Sequence, residues 1–248
     1  MIIWITGAST GIGRSLTLKY SSARATVIAT ARNEKKLFAL QTDAAELPGS
    51  VHIHPADVTN AEDMQAAYKW ISQNVGRPDK VILNAGTYFP TPASSFSTDE
   101  HTAIMDVNYG GVINCLDAVL PDFLGEKAGQ VAIVASVAGY RGLPNASAYS
   151  ASKAALIALA ESLKEELKQS GVDLKLINPG FVKTPLTDQN DFPMPFLMEV
   201  EDAAQKIIHG LETKKFEISF PLPFALIMKL LRILPNWAYF HIARKMLS

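Results

Sequence analysis

Cysteine is nearly absent from this sequence of 248 residues. The single thiol, Cys115, excludes an internal disulfide and favours a reducing compartment. The first residues are apolar and lack the charged segment and small-residue cleavage site of a secretory signal, so we expect a cytoplasmic protein. The five histidines have no paired spacing typical of a metal site, and we predict no bound metal.

An excess of either charge is also missing. The 23 lysines and arginines nearly balance the 24 acidic residues, and the net charge is -1. This balance does not indicate a nucleic-acid partner, and we expect none, although a local site for a small anion stays open. Hydrophobic residues make up 48% of the chain and charged residues 19%, which excludes a largely disordered protein. The length suits one large domain.

Short apolar runs alternate with longer segments of helical period. The runs cover residues 2–5, 26–29, 81–83, 131–135 and 174–177. Parallel strands that are buried on both faces read as continuous apolar runs, and right-handed crossovers place the intervening helices on either side of the sheet. The sequence therefore predicts an α/β fold, a doubly wound parallel sheet of Rossmann type with helices on both faces.

A glycine-rich turn follows the first predicted strand and precedes a helical segment that starts near Arg14. Glycines let the backbone turn tightly and approach a pyrophosphate, whose charge is favoured at the N-terminus of the following helix. The alternative is a turn whose glycines serve close packing alone. The motif predicts a dinucleotide site formed by Gly7, Ser9, Thr10, Gly11, Ile12 and Gly13.

The end of the second predicted strand indicates which dinucleotide binds. Sites that prefer NAD usually carry an acidic residue there, whereas this chain reads Thr30-Ala31-Arg32. The Arg32 guanidinium can pair with a 2′-phosphate, and Arg14 can help from the neighbouring helix. The alternative is that either arginine is a solvated charge at a helix end. We predict NADP(H) as the cofactor in preference to NAD(H).

Tyr149 and Lys153 lie one helical turn apart near the start of a long helical segment. A nearby ammonium favours the phenolate, so we expect Lys153 to lower the pKa of Tyr149 toward neutral acid-base chemistry. Ser136 follows the run 131–135, at the sheet edge where ligands of such folds bind, and its hydroxyl can polarise a carbonyl. The pair alone is weak, but together with Ser136 it indicates proton transfer at a carbonyl or alcohol.

The order of these motifs resembles the short-chain dehydrogenase/reductase family, in its compact single-domain branch, across residues 1–184. The resemblance implies further cofactor contacts at the adenine side, after the fourth strand and in the nicotinamide-side loop, namely Asp57, Val58, Asn84, Ala85, Gly86, Pro179, Gly180, Val182 and Thr184. The catalytic positions of the family match Asn108, Ser136, Tyr149 and Lys153.

The same resemblance implies a role for each catalytic residue. Tyr149 gives or takes the substrate proton and Ser136 orients the carbonyl. Lys153, beside Tyr149, also holds the nicotinamide ribose, and Asn108 supports a proton relay through water. The cofactor carries the hydride. The family further implies a homodimer or homotetramer, formed through the helical segments near 99–121 and 149–169.

Several of these residues also have a purely structural interpretation. Asn108 can satisfy a hydrogen bond within a helix, and Asp57 can cap the helix that starts near Ala61. The segment 84–86 can simply end a strand, and Pro179-Gly180 is a common loop signal. The shared order of the motifs favours the functional interpretation.

Apolar residues are frequent in the predicted substrate loops. Because ligand pockets are mostly apolar with few polar groups, these loops predict an apolar small-molecule substrate rather than a sugar. Ordinary loop packing is the alternative. The residues expected to wall the pocket are Tyr140, Arg141, Leu143, Leu186, Phe192, Met194, Phe196 and Met198.

We assign residues 1–220 to a Rossmann-type NADP-binding and catalytic domain, and 221–248 to a basic, apolar, helical C-terminal extension of the same domain. Lys229, Arg232 and Pro235 interrupt its apolar run too early for a transmembrane span. A lid, a subunit contact and a peripheral contact with a membrane surface are the alternatives for its role. A polar stripe through Ala225, Lys229, Arg232 and Asn236 is expected to leave one wide apolar face, comprising Ile227, Met228, Leu230, Leu231 and Leu234.

The sequence thus predicts an oxidoreductase that transfers a hydride between NADP(H) and a carbonyl or secondary alcohol of an apolar small molecule. The alternative from another class is a catalytically idle NADP(H)-binding regulator or scaffold, since folds can outlive chemistry. Ser136, Tyr149 and Lys153 argue against it. A sugar-nucleotide epimerase ranks last, because such relatives usually carry a longer substrate domain.

Overall fold

The computed structural model describes residues 1–189 and 192–246. Strands and helices alternate along most of the chain, as the sequence predicts. The elements are β1 (Ile2–Thr6), α1 (Gly11–Ser22), β2 (Thr26–Ala31), α2 (Glu34–Asp43), β3 (Ser50–Pro55), α3 (Ala61–Asn74), β4 (Lys80–Leu83), α4 (Thr98–Met105), α5 (Gly111–Glu126), β5 (Gln130–Val134), α6 (Ser147–Gln169), β6 (Asp173–Pro179), α7 (Val200–Leu211), β7 (Glu217–Phe220), α8 (Leu222–Ile233) and α9 (Asn236–Lys245).

The strands form one sheet in the order β3-β2-β1-β4-β5-β6-β7, and every neighbouring pair is parallel. The predicted doubly wound parallel sheet is therefore confirmed. Two strands do not appear among the predicted apolar runs. β3 is an edge strand that carries two partly exposed histidines, and β7, the other edge strand, alternates polar and apolar residues from Glu217 to Phe220, so neither reads as a continuous apolar run.

Side chains that alternate along the strands build a core on each face of the sheet. In β1, Ile3 and Ile5 pack in the layer of α1, α2 and α7, whereas Trp4 packs in the layer of α3, α5 and α6. All three side chains are fully buried. Burial on both faces explains why the strands are apolar at nearly every position rather than at every second one.

The helices α8 and α9 pack on the α3, α5 and α6 side, but not through the face that the sequence predicts. Met228 and Leu231 are buried as expected, and Ala225, assigned to the polar stripe, is buried with them. Ile227 and Leu230 are exposed instead. The predicted single apolar face is therefore wrong, because the packing of Phe224, Ala225, Met228 and Leu231 on the core sets which side of α8 is buried, and Lys229 pairs with Glu217 of β7 next to this contact.

Arg141, expected in the substrate pocket, holds this C-terminal segment in place. Its guanidinium donates to Asn236 Oδ1 at 2.7 Å and stacks over the ring of Tyr239, 4.4 Å from the ring centroid. The Tyr239 hydroxyl donates in turn to the carbonyl of Gly142. Within 1–189 and 192–246, no helix combines the length and hydropathy required to cross a bilayer.

Candidate active site

A cleft of about 420 Å³ opens along the carboxyl ends of the parallel strands. The chain changes direction across the sheet between β1 and β4, which is where open α/β folds bind ligands. Nearly all predicted site residues line this cleft, namely Gly7, Ser9, Thr10, Gly11, Ile12, Arg32, Asp57, Val58, Asn84, Ala85, Gly86, Ser136, Tyr149, Lys153, Pro179, Gly180, Val182 and Thr184. The other two, Gly13 and Asn108, lie behind its wall.

The glycine turn has the backbone that a dinucleotide requires. Gly7 and Gly11 have φ values of +65° and +53°, in the left-handed region that disfavours side chains. Gly13 serves packing, because a Cβ there would lie 2.4 Å from the carbonyl oxygen of Gly7. The first turn of α1 begins at Gly11 in the cleft wall, where its amides and dipole favour an anion.

Asn84 ties this turn to β4. Its backbone amide donates to Thr6 Oγ1 at 3.1 Å, and its side-chain amide donates to the carbonyls of Thr6 at 3.1 Å and Gly7 at 3.2 Å. Asn84 therefore positions the turn through its side chain. Gly86 leaves the neighbouring wall open, because a Cβ there would lie 3.2 Å from Asn108 Oδ1 and 3.6 Å from Lys153 Nζ.

Arg32 stands at the end of β2 with 68% of its side chain exposed. Its Nη1 atom is 3.7 Å from Asp57 Oδ2. Arg14 is directed away from this position, since its guanidinium pairs with Asp43 of α2 and does not line the cleft. The expected help from Arg14 is therefore not supported by its placement.

Asp57 closes a local turn rather than capping α3. Its Oδ1 atom accepts from the amide of Thr59 at 3.0 Å and from the Thr59 hydroxyl at 2.9 Å. Asn60 is the N-cap of α3, and its side chain accepts from the amides of Glu62 and Asp63. The capping interpretation of Asp57 is wrong, because the helix begins one residue after Asn60.

Ser136 connects the end of β5 to the proton-transfer residue. It accepts from the amide of Ala138 at 3.1 Å, which caps a short 3-10 turn, and donates to the carbonyl of Pro179 at 3.3 Å. Its hydroxyl also hydrogen-bonds the side chain of Tyr149. Gly139 lets α6 approach this turn, since a Cβ there would lie 2.7 Å from the Lys153 backbone.

The pKa of Tyr149 differs from the expected one. Burial raises it to about 12, and the hydrogen bond between Tyr149 and Ser136 offsets only part of that effect. The ring of Tyr88 packs edge-on against the Tyr149 ring, with 5.2 Å between the centroids. The prediction that Lys153 lowers the pKa of Tyr149 is therefore wrong for the free protein, because desolvation of the phenolate dominates. The Tyr149 hydroxyl is therefore protonated at neutral pH and can act as an acid.

Lys153 is 4% exposed and donates from Nζ to the carbonyl of Val134 at 3.0 Å. Its Nζ atom lies 5.7 Å from the centroid of the Tyr149 ring. Burial lowers the pKa of Lys153 from 10.5 to about 8. At neutral pH the side chain therefore keeps its positive charge close to Tyr149.

Residues 1–192 match the sequence family described as short chain dehydrogenase. An uncharacterized oxidoreductase from Myxococcus xanthus strain DK1622 is 38% identical to this chain over 242 residues, covering 98% of this chain and 96% of its own length. The chain belongs to the short-chain dehydrogenase/reductase family. It is accordingly an oxidoreductase of a family that uses a nicotinamide cofactor.

Solved structures of other short-chain dehydrogenases have the same fold. A Burkholderia phymatum protein in complex with NAD is 23% identical, with a TM-score of 0.85 and coverage of 92% of each chain. A Sphingobium yanoikuyae protein in complex with NADPH is 22% identical, with a TM-score of 0.81 and coverage of 95% of this chain and 96% of its own. These neighbours share the fold of this chain, and one was solved with NAD and the other with NADPH.

Asn108 lies outside the cleft wall of this short-chain dehydrogenase, in a π-helical turn at Asp106–Gly110 that joins α4 to α5. It is fully buried. Its Oδ1 atom accepts from the amide of Thr87 at 2.7 Å, and its Nδ2 atom donates to Ser152 Oγ at 2.9 Å. Asn108 therefore joins the loop after β4 to α6, and its part in a proton relay stays a prediction.

Nine further residues line the cleft but were not predicted from the sequence, namely Ala31, Asn33, Ala56, Val107, Val134, Ala135, Pro185, Thr187 and Gln189. Most of them neighbour a predicted residue, and that adjacency is the signal that could have found them. Of the expected substrate wall, Leu186 lines the cleft. Tyr140 instead donates to Glu217 and accepts from Asn178, and Phe192 and Phe196 pack in an aromatic cluster with Phe181 and Phe224.

The lowered pKa of Lys153 predicts a pH-dependent stability. Between pH 8 and 10.5 the unfolded chain binds more protons at this lysine than the folded protein does, so stability rises with pH. Relative to a Lys153→Met variant, the wild type should gain about 2 kcal/mol of unfolding free energy between pH 7 and pH 9.5. Urea denaturation at both pH values checks this, and a pH-independent difference between the two proteins would contradict it.

Proposed function

We propose that this short-chain dehydrogenase transfers a hydride between NADP(H) and a carbonyl or secondary alcohol of an apolar small molecule. The observation that carries the proposal is the hydrogen bond between Ser136 and Tyr149 in the cleft that also contains the glycine turn. Lys153 supplies a buried positive charge beside them. The nicotinamide ring supplies the hydride when it is bound.

The chain's own residues supply the proton and the orientation. In the reductive direction the Tyr149 hydroxyl donates its proton to the carbonyl oxygen, which leaves with that proton as an alcohol hydroxyl. The Ser136 hydroxyl holds the carbonyl oxygen near Tyr149, and the Lys153 ammonium stabilises the phenolate that forms. In the oxidative direction the phenolate takes the proton back. The proton and the hydride together account for the two hydrogens that the carbonyl gains.

A dinucleotide fits the backbone along the cleft. Gly7 and Gly11 provide the left-handed turn, and Gly86 leaves space where a Cβ would press on Asn108. The first turn of α1 would hold the pyrophosphate. Leu186, from the predicted substrate wall, lines the cleft and supports an apolar substrate.

The preference for NADP(H) rests on Arg32. Its guanidinium is largely exposed at the end of β2, and its contact with Asp57 is long, at 3.7 Å. A 2′-phosphate carries more charge than one carboxylate and can form a bidentate pair with the guanidinium. The phosphate can therefore displace Asp57 as the partner of Arg32.

Replacing Arg32 with alanine should weaken NADPH binding by roughly 10- to 100-fold, because a charged hydrogen-bonding partner is lost. NADH binding should change by less than about twofold, since NADH has no 2′-phosphate. Titration calorimetry with both dinucleotides measures the two losses. Arg14→Ala is the matched control, because Arg14 pairs with Asp43. Equal losses for NADPH and NADH in Arg32→Ala would remove Arg32 from cofactor selection.

A panel of carbonyl compounds tests the reaction itself. We expect NADPH oxidation with apolar ketones or aldehydes, little with sugars, and turnover lower by roughly 10²- to 10⁴-fold in a Tyr149→Phe variant. Loss of nicotinamide absorbance and chromatographic detection of the alcohol product measure turnover. NADPH binding without turnover of any carbonyl compound or alcohol would favour the alternative, an idle NADP(H)-binding regulator or scaffold.

We also propose a homodimer or homotetramer formed through α4, α5 and α6. These helices include the segments that the family resemblance indicates for assembly. Sedimentation velocity of the full-length protein measures its mass in solution. A monomer at micromolar concentration would contradict the proposed assembly without affecting the proposed reaction.

A further inference from the structure

The outward surface of the two C-terminal helices is unusually apolar. Nine of the sixteen large hydrophobic side chains that are exposed among the described residues belong to 222–246. We define the C-terminal surface as seven of them, five on α8 and two on α9, namely Leu222, Leu226, Ile227, Leu230, Ile233, Trp237 and Phe240. An exposed hydrophobic patch of this kind marks an interaction site.

The helix α8 is apolar on both sides. Phe224, Ala225, Met228 and Leu231 face the core and are buried. The outward residues at positions 222, 226, 230 and 233 recur at helical spacing, so they share one face, and 56–76% of each side chain is exposed. A surface helix of an ordinary globular protein presents polar residues on that side. Core packing therefore does not account for the outward leucines and isoleucines of α8.

This surface belongs to a segment that is firmly attached to the domain. Lys229 of α8 pairs with Glu217 of β7, and Arg141 joins α9 through Asn236 and Tyr239. The outward side chains are thus presented in one arrangement before any partner binds. Such pre-organisation reduces the entropic cost of association.

The charges of the segment indicate what kind of partner it meets. Residues 221–248 contain four basic side chains and no acidic one. Lys229 pairs with Glu217. Arg232, Arg244 and Lys245 are exposed on the same segment. Trp237 is 78% exposed and Phe240 is 59% exposed on the same segment. Basic residues with outward aromatic and aliphatic side chains are typical of helices that lie in the interface of an anionic membrane.

A second copy of this chain fits these charges poorly. An isologous contact places the same surface on both partners, so the basic side chains of the segment would meet without an acidic residue of the segment to pair with. Trp and Arg suit protein interfaces, but Lys is depleted from them. Because no helix in 1–189 and 192–246 can span a bilayer, the segment would lie on the membrane surface.

We propose that α8 and α9 dock this protein on an anionic lipid bilayer through the C-terminal surface. The apolar side chains enter the boundary between headgroups and acyl chains, and the basic side chains of α9, Arg244 and Lys245, meet the lipid phosphates. The docked helix also adjoins the active-site loop, because a Cβ on Gly180 would lie 2.8 Å from the Phe224 ring. Docking therefore places the substrate side of the cleft near the bilayer.

Vesicle sedimentation of the full-length protein tests the apolar part of the proposal. The wild type should sediment with vesicles of equimolar phosphatidylcholine and phosphatidylserine. The double variant Leu226→Ser and Leu230→Ser should bind at least about tenfold more weakly, because two leucines no longer leave water. The control variant, Phe38→Ser and Phe96→Ser, removes two side chains that are similarly exposed elsewhere and should bind as the wild type does.

The charge requirement is tested with Arg244→Gln and Lys245→Gln together. Each charge removed should weaken binding to the anionic vesicles by about fivefold, and added salt should weaken wild-type binding in the same direction. Lys35→Gln with Lys36→Gln is the control, since both lysines are exposed on α2. Trp237 provides a direct readout, because its fluorescence should shift to the blue when the wild type meets anionic vesicles.

Three outcomes would overturn the proposal. The first is a wild type that stays in the supernatant with anionic vesicles. The second is an equal loss of binding in the Phe38 and Phe96 control. The third is a dimer in the absence of lipid that Leu226→Ser with Leu230→Ser dissociates, together with no vesicle binding, which would make a second copy the occupant of the C-terminal surface.

Discussion

Replacing Tyr149 with phenylalanine should lower turnover by roughly 10²- to 10⁴-fold while leaving NADPH affinity within about twofold of the wild type. The substitution keeps the ring that packs against Tyr88 and removes the hydroxyl that bonds Ser136. The folded structure therefore keeps its cleft and loses only the transferable proton. Steady-state kinetics with an accepted carbonyl compound and calorimetric titration of NADPH measure the two quantities.

Tyr20→Phe is the matched control for this experiment. It removes the same atom from a buried tyrosine of α1 that does not line the cleft, so turnover should stay near the wild-type value. Turnover of Tyr149→Phe at the wild-type rate would show that another group transfers the proton. Loss of NADPH binding in the same variant would instead show that the hydroxyl matters for the cofactor.

Replacing Gly13 with alanine should weaken NADPH binding by roughly 10- to 100-fold and lower the thermal stability. The new Cβ would lie 2.4 Å from the Gly7 carbonyl oxygen and 2.6 Å from Asn84 Nδ2, and the first of these is a backbone atom that cannot rotate away. The glycine turn must then move relative to β4. Overpacking of this kind costs about 1–3 kcal/mol, and here the displaced backbone is the proposed pyrophosphate site.

Gly125→Ala provides the control, because, apart from its chain neighbours and the nearby backbone of its own helix, nothing in the residues described by the structure lies within 4 Å of the added Cβ. Gly125 lies within α5, where alanine is the better helix former, so this variant should match or exceed wild-type stability. Calorimetric titration and thermal unfolding apply to both proteins. Unchanged NADPH affinity in Gly13→Ala would show that the turn can shift without disturbing the cofactor site.

The sequence predicted the site from local features because those features survive folding unchanged. Tyr149 and Lys153 are one turn apart in any helix, and Ser136 lies at the carboxyl end of a strand once the preceding run forms that strand. The fold was predicted for the same reason, since burial on both faces leaves a continuous apolar run in each inner strand. The edge strand β3 was missed because its two histidines, which are partly exposed, break that pattern. The catalytic roles of these residues stay predictions that Tyr149→Phe tests.

Predictions that depended on distant partners were less successful. Tyr140 and Arg141 follow Ser136 closely and were expected to wall the pocket, yet their partners are Glu217 and the α9 residues Asn236 and Tyr239. The neighbourhood in sequence gave no indication of these partners. The prediction that the pKa of Tyr149 is lowered was wrong for a related reason. Burial in the assembled cleft raises this pKa, and the spacing of Tyr149 and Lys153 does not indicate that burial.

By itself the sequence determined the alternation of strands and helices, the glycine turn and the spacing of Tyr149 and Lys153, because each depends on residues close together in the chain. Only the tertiary structure decided that Tyr149 holds its proton more strongly than a free tyrosine does. It also decided which side of α8 is buried, since Phe224, Met228 and Leu231 pack on the core and leave Leu226 and Leu230 outward. These outcomes depend on desolvation and on contacts between distant segments, which periodicity and spacing do not encode.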